Sequence, residues 1–483
     1  MHNSIYLCIP LQAVIIRQWS HKAADWSADY LNTIAQRPVR AQTAPGDILK
    51  SIATSPPEHP EDMATIFDDF KTTIPDGMTH WQHPRFFAYF PSNAAPAAVI
   101  AEQLAGALAS QCMLWQTSPA ATELETAMID WLRQATGLPE EFSGSFQDAA
   151  SSATLCAVLT MRERALNWEG NRQGLSGHPR LRVYASSRTH SSIDKAMWVA
   201  GLGQENLVKI PTDSGYAMRT DVLAERIKED RANGYLPVGV VACVGGTSMG
   251  ATDKVGEVVS IAHAEDLYVH VDAAWAGSAM ICPEYRHMWQ GVECADSVVL
   301  NPHKWLGAPI ECSAHFVRDP DTMIRTLSLQ PEYLKTHGHD GIINYSEWSV
   351  QLGRRFRALK VWFLLRAYGL EGLRKMIRNH VAWTAELAKR FEGAADFEVV
   401  TQPILALFTF RYASSKIDDL NALNLELVNA INDDGRIYLT QTDHDGTLVI
   451  RFSCGQFETT EADVMSTFDV VRELAEELVA NRL

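Results

Sequence analysis

Between residues 94 and 366 the sequence changes its hydrophobic period repeatedly, and that alternation limits the folds open to it. Runs with apolar residues at helical spacing, Ala97–Leu108, Thr122–Thr136, Thr154–Asn167 and Thr220–Ala232, are separated by short β-rich runs. The β-rich runs are Arg182–Ala185, Leu207–Ile210, Val238–Cys243, Tyr268–Val271 and Ser297–Leu300. Helices alternating with short strands predict an α/β fold with a mainly parallel sheet flanked by helices. Val238–Cys243 and Ser297–Leu300 are nearly all apolar, as strands covered on both faces are.

The flanks read differently. From Gln18 to Lys71 the pattern is helical, interrupted by a Pro-rich connector from Arg37 to Pro60. The apolar face of Ala24–Ala35 needs a second surface, so a dimer is expected. After about Leu370, long helical stretches flank two strands, Leu405–Arg411 and Thr447–Ser453, with His444, Asp445 and Gly446 as a turn before the second. The expected division is an N-terminal extension and helical dimerisation arm over 1–93, a large α/β domain over 94–369, and a small C-terminal α+β domain over 370–483.

The net charge of −16 argues against nucleic-acid partners and against anionic membranes. Eight cysteines are scattered without C-x-x-C pairs or metal-ligand spacing. They read as free thiols of a reducing compartment, and a cytoplasmic protein is expected. The first eighteen residues are apolar but lack a basic n-region and are too short to span a bilayer. They read as an extension outside the fold.

Four stretches carry chemistry. In LYVHVDAAWAG a strand ends at Asp272 and small residues follow. An aspartate there either caps the next turn or, since ligands sit outside the carboxyl ends of strands, holds a ring nitrogen as its protonated cation. In SVVLNPHKW, Lys304 follows another strand end. It is either a snorkelling lysine or a Schiff-base lysine with a depressed pKa. Together the two residues supply what pyridoxal phosphate demands: a carboxylate for the ring nitrogen and an amine for the aldehyde. In FQDAASSATL a small polar loop enters a helix, whose start is either an ordinary cap or an anion site with Ser151, Ser152 and Thr154 as donors. Asp148 there would repel a phosphate unless it points away. In SSRTHSSIDKA, His190 lies just past a strand and is either a hydrogen-bonded surface histidine or a ring that stacks on a cofactor.

HPRFFAYFPSN, SPAATELETAMIDWL, HVDAAWAGSAMICPEYRH, ADSVVLNPHKWLG and LGRRFRALKVWFLLRAYG together resemble the pyridoxal-phosphate-dependent aromatic-L-amino-acid decarboxylases, the group II decarboxylases. The resemblance runs from about Trp19 into the C-terminal region. It implies fold type I, a homodimer with its active site at the subunit interface, and pyridoxal 5'-phosphate as cofactor. It implies that Lys304 holds the cofactor, Asp272 pairs with the ring nitrogen, His190 stacks on one ring face and Ala274 packs on the other. Ala150, Ser151, Asn301 and His303 would surround the phosphate, with Thr247 near the ring and Asp253 behind it. The stretch LSLQPEYLKTHGHDG matches a mobile loop and puts Tyr333 as proton donor to the substrate carbon. Trp81, Tyr89, Phe90, Pro91 and Ser92 match the substrate-side segment.

The chain departs from the family in several places. Asp148-Ala149 replaces a frequent Gly-Ser. Gln111, Cys112 and Met113 stand where relatives are more apolar or aromatic, and Ile310 where phenylalanine is frequent. Gly353 occupies a position that plant relatives vary with substrate. These differences predict a pocket altered in size and polarity. The expected reaction is decarboxylation of an aromatic L-amino acid to its amine. The alternatives are an aldehyde synthase, a decarboxylase of a non-aromatic acid such as histidine or glutamate, and a non-catalytic scaffold. Retention of both His190 and Tyr333 favours plain decarboxylation. The arginines at 354, 355 and 357 read as surface and interface salt bridges.

Overall fold

The computed structural model describes residues 12–329 and 341–482. A seven-stranded sheet forms the centre: β1 (Ser143–Gln147), β2 (Leu181–Ser186), β3 (Leu207–Ile210), β4 (Leu236–Cys243), β5 (Tyr268–Asp272), β6 (Ser297–Leu300) and β7 (Ser313–Val317). The spatial order is β1-β7-β6-β5-β4-β2-β3. Strands β3, β2, β4, β5 and β6 run parallel. Strand β7 runs against both β6 and β1. The architecture is the α/β, fold type I arrangement the sequence implied.

Alternating side chains of the buried strands separate into two cores. Val240, Ala242, Val269, Val271 and Val298 pack against helices Pro119–Thr136, Thr220–Ala232 and Val255–Ala264. Val241, Val183 and Tyr268 pack on the opposite side against helices Ala150–Ala165 and Ser192–Val199. Both faces are therefore covered, which is why these strands lack a polar face.

Four further strands make an antiparallel sheet: β8 (Phe397–Ile404), β9 (Leu407–Tyr412), β10 (Thr440–His444) and β11 (Thr447–Ser453), in the order β10-β11-β9-β8. The expected turn joins β10 to β11, with Asp445 at φ 52° and Gly446 at φ 85°. The helical run Arg357–Glu392 that leads toward this sheet breaks at Gly369, whose φ of 62° and ψ of 167° are not helical.

At the N-terminus, helices Gln12–Thr33 and Met63–Thr73 meet through Trp19 on Phe67 and Trp26 on Phe70. Asp62 caps the second helix by accepting from Ala64 and Thr65. The connector between them is extended as expected, except for a short helix, Asp47–Ser51, that starts after Gly46 at φ 92°. Among the described residues no helix is long and apolar enough to cross a membrane.

One expectation fails here. Arg354 is not a surface group. Its side chain is 2% exposed and pairs with the equally buried Glu125 at 2.7 Å. It also donates to the Phe146 carbonyl at 2.6 Å, while Glu125 accepts from the Phe146 amide. The basic run sits where the chain crosses the end of β1, and the carboxylate from helix Pro119–Thr136 neutralises its first member. Arg355 remains exposed beside Glu102, and Arg357 pairs with Glu311.

Candidate active site

The carboxyl ends of β4, β5 and β6 open on one cavity of about 260 Å³. Cys243 pairs with Asp272 across β4 and β5, and Asp272 with Val299 across β5 and β6. The chain therefore leaves all three strands at one rim. Ala150, Ser151, His190, Thr247, Asp272, Ala274, Asn301, His303 and Lys304 all line the cavity. Residues distant in sequence thus meet because parallel strands deliver their carboxyl ends to the same edge.

Lys304 follows β6 by one tight turn, closed by its amide donating to the Asn301 carbonyl at 3.0 Å. Its own carbonyl accepts from Asn93 Nδ2 at 2.8 Å, and the same amide group reaches the Gly455 carbonyl. Asn93 thereby ties the lysine turn to the chain just past β11. The Lys304 ammonium lies 4.9 Å from the centre of the Phe90 ring. Burial pushes its pKa down to about 8, against the pull of Asp272, and the nearby Arg451 cation pushes in the same direction as burial. Asp272 is 6% exposed and accepts from the Ala274 amide at 3.1 Å.

The helix Ala150–Ala165 begins without a side-chain cap. Asp148 does not supply one. Its carboxylate accepts from the Ala149 amide and from Gln351, and it is not part of the cavity wall. The uncapped helix start therefore faces the cavity with its N–H groups and positive dipole end. His190 accepts the Ser192 amide at Nδ1, and His303 accepts the Cys312 amide at Nδ1. Burial lowers both imidazole pKa values, that of His303 to about 3.

Several wall residues lay outside the expected set: Ser192, Cys243, Gly245, Gly246 and Trp275. Gly245 was within the quoted CVGGTSMG stretch, but its role needed the fold. It sits at φ 75°, where an added Cβ would meet the Ala276 Cβ at 2.4 Å. Trp275 stacks between Phe90, at 4.6 Å, and Trp305, at 4.9 Å. Arg451 comes from β11 in the second sheet. It is 3% exposed, donates through Nε to the Thr247 carbonyl at 2.9 Å and through Nη1 to the Tyr89 carbonyl, and lies over Phe90. Its Nη2 is buried without a hydrogen-bond partner among the described residues. Nothing local in the sequence around Arg451 marks it.

Of the ten residues expected in a substrate pocket, Phe90 alone lines this cavity. Trp81 and Tyr89 stack on each other and stay 38% and 49% exposed, and Ile310 is 65% exposed. Pro91 packs on Gly455, and Ser92 is half-buried. Gln111, Cys112 and Gly353 belong to a separate seam: Gln111 accepts the Arg354 amide, the Cys112 amide donates to the Arg354 carbonyl, and Gly353 lies against Gln111. Met113 is half-buried next to it, its carbonyl accepting from Ser346. Tyr333 lies outside the described residues. Asp253 stands behind the wall, accepting the Cys243 and Met218 amides, and burial raises its pKa to about 6.

The residues present fit pyridoxal phosphate. An uncapped helix start and hydroxyl groups suit the phosphate, a buried carboxylate suits a protonated ring nitrogen, and a lysine of depressed pKa suits an aldehyde. The buried Asn301 Oδ1 has no hydrogen-bond partner among the described residues, so the wall retains an acceptor for a bound group.

Comparison with known proteins agrees. Residues 45–413 match the model of the pyridoxal-dependent decarboxylase conserved domain. The phenylacetaldehyde synthase of Arabidopsis thaliana is 38% identical, over 97% of this chain and 98% of that one. Tryptophan decarboxylase 2 of Oryza sativa subsp. japonica is also 38% identical, over 96% and 95%. The crystal structure of Oryza sativa TDC with PLP and tryptamine superposes with a TM-score of 0.93 at 36% identity, covering 97% of this chain and 99% of that one. A lysine and an aspartate at neighbouring strand ends, an open helix start on the same cavity and this likeness along nearly the whole length place the chain in the pyridoxal-phosphate-dependent decarboxylase family.

Proposed function

We propose that the chain decarboxylates an aromatic L-amino acid to its amine and carbon dioxide. The observation that carries this reading is the placement of Asp272 and Lys304 at adjacent strand ends in one cavity with His190. Pyridoxal phosphate, when bound, supplies the ring that accepts the electron pair left behind as carbon dioxide departs. Lys304 is the amine that attaches the cofactor aldehyde, and its depressed pKa keeps the attacking form accessible near neutrality. Asp272 holds the ring nitrogen protonated. His190 and Ala274 are assigned to the two ring faces, with Ala150, Ser151, Asn301 and His303 around the phosphate and Thr247 beside the ring. Tyr333 is assigned to return a proton to the substrate carbon. The aromatic preference is supported by the tryptophan decarboxylase relative.

The working form is proposed to be a homodimer. Ile100, Leu104 and Leu108 leave an apolar face exposed on helix Pro96–Leu108, and Val14, Ile16, Ile66 and Ile74 do so on the arm. Exposed apolar surface of this extent marks association. Trp81, Tyr89, Pro91, Ser92, Gln111, Cys112, Met113, Ile310 and Gly353 are then assigned to substrate walls completed across the interface. The division at 93/94 and 369/370 is retained, the latter supported by the break at Gly369. The cytoplasm is the proposed compartment, supported by cysteines that are unpaired among the described residues.

A second reading is oxidative conversion to the aldehyde, favoured by the likeness to the Arabidopsis synthase. A product assay separates the two. Purified protein with pyridoxal phosphate is given tryptophan, tyrosine, DOPA, phenylalanine, histidine or glutamate, and amine, aldehyde and peroxide are measured. Amine without peroxide from an aromatic substrate is expected. Aldehyde with matching peroxide would replace the first reading by the second, and amine from glutamate alone would overturn the aromatic assignment. Tyr333→Phe should suppress amine formation, and an unaltered product profile would remove Tyr333 from the scheme.

A further inference from the structure

We infer that the two histidines of the cavity, His190 and His303, are held by backbone amides as neutral Nε2–H donors, and that Ser192 is the positioning residue for His190. This rests on the decarboxylase reading for its consequence, but the geometry stands without it.

A backbone N–H can only donate. The Ser192 amide lies 3.1 Å from His190 Nδ1, and the Cys312 amide lies 2.9 Å from His303 Nδ1. Each Nδ1 is thereby an acceptor, and the single ring proton of the neutral imidazole resides on Nε2. The Ser192 hydroxyl lies 2.8 Å from the same His190 Nδ1 and can donate as well. Protonating Nδ1 would set its N–H against the backbone N–H that faces it. The hydroxyl can turn round and accept, but the amide cannot.

The charged surroundings act in both directions. His190 faces Asp272 and Asp194, which favour its cation, and Lys304, which opposes it; burial opposes it most. His303 faces Lys304 and Lys360, which oppose its cation, while a hydrogen bond to the Cys312 backbone and the Asp148 carboxylate favour it; burial again dominates. The balance holds both imidazole pKa values below the ordinary one.

The consequence is a division of labour. A neutral imidazole whose only proton is on Nε2 is a fixed hydrogen-bond donor and a flat face. It is not an acid that gives up a proton and regains it during turnover. Proton movement then falls to Lys304 and to Tyr333. His190 and His303 instead direct N–H groups at whatever electron-rich atoms occupy the cavity, without a change of charge that would disturb Lys304.

The test uses full-length protein labelled with [15N]histidine, with and without pyridoxal phosphate. The ring signals are assigned by their loss in His190→Gln and His303→Gln. Both residues are expected to show a protonated Nε2 and a bare Nδ1, unchanged from about pH 7 to 9. A second variant, Ser192→Asp, places a carboxylate acceptor at Nδ1 and should raise the His190 pKa by about 1 to 3, so that a new ionisation enters both the nitrogen shifts and the pH profile of kcat. A proton on Nδ1, or a doubly protonated ring in that pH range, would overturn the inference. Correct tautomers with no response to Ser192→Asp would remove Ser192 as the positioning residue. Because the nitrogen shifts are also read on cofactor-free protein, this outcome is independent of which product the assay above finds.

Discussion

Two buried arginines behave in opposite ways. Arg354, on the seam beside β1, is neutralised by Glu125 and anchors the Phe146 backbone. Arg451, beside the cavity, has carbonyls and an aromatic face but no carboxylate among its described partners. Burial pushes the Arg451 pKa down to about 9. Taking a cation out of water costs several kcal/mol unless a partner offsets it. The seam therefore uses charge to fix the chain. The cavity gathers two cations, Arg451 without a carboxylate among its described partners and Lys304 with Asp272 alone pulling on it, beside the open helix start. That is the electrostatics of a place built to receive an anion, and it is poor economy for stability alone.

The largest effects should separate the two regions. Lys304→Ala should lower decarboxylation by a factor of about 10³ or more, on the scale of losing a proton-transferring side chain. The same variant should unfold in urea no earlier than the parent, because the removed ammonium was itself costly to bury. Glu125→Ala should do the reverse. It leaves Arg354 buried and unpaired and should destabilise the protein by about 3–5 kcal/mol in the same denaturation experiment. Unchanged activity in Lys304→Ala would break the catalytic side of the comparison, and a Glu125→Ala protein as stable as its parent would break the structural side.

A smaller effect is a pH dependence. The Lys304 pKa falls from the ordinary 10.5 to about 8 in the folded protein. Between those values the unfolded chain binds more protons than the folded one, so stability rises with pH. Below about 8 the cost of the buried ammonium is present in full, and above 10.5 it is relieved. Cofactor-free protein should therefore gain stability over that window relative to Lys304→Met, measured by urea midpoints at each pH. Parallel curves for the two proteins would mean that Lys304 is not desolvated.

The smallest expected change comes from Arg451→Met. It removes a like charge near Lys304, so the lysine should become more basic. It also strips the Tyr89 and Thr247 carbonyls of a charged donor, a loss of about 1.5–3 kcal/mol for such a bond. The basicity of Lys304, followed by the pH dependence of the rate at which cofactor-free protein captures pyridoxal phosphate, should move upward in Arg451→Met and less in Arg451→Lys. Identical pH profiles would sever Arg451 from the lysine.

Much of this was legible in the sequence, and the parts that were not share a cause. Ser297–Leu300 stands where its apolar run predicted it, because a strand buried on both faces leaves that signal, and the edge strand Leu207–Ile210 was also legible although Lys209 is exposed. Strands β1, SGSFQ, and β7, SAHFV, escaped notice because serine, glutamine and histidine interrupt them. Their polar side chains are buried too: Gln147 bonds the Trp348 carbonyl, and His315 lies against His270 within the sheet. Asp272, Lys304 and His190 could be read because strand ends attract ligands. Arg451 and Asn93 could not, since their importance comes from contacts across more than two hundred residues of chain. Arg354 was misread because a basic run looks like surface until the carboxylate that neutralises it is seen.

The aromatic stack on the cavity wall has an optical consequence. Trp275 borders the cavity and lies nearly coplanar in stacking with Trp305, at an angle of 11°. Trp305 in turn donates its indole N–H to His380 at 3.0 Å. Two indoles so placed share excitation, and the first of them stands in the cavity wall. A chromophore entering there would drain emission from both, while the exposed Trp131 and Trp198 kept theirs. The molecule carries its own lamp at the binding cavity, and dimming of its buried, blue-shifted emission would time the arrival of a ligand before any bond is made or broken.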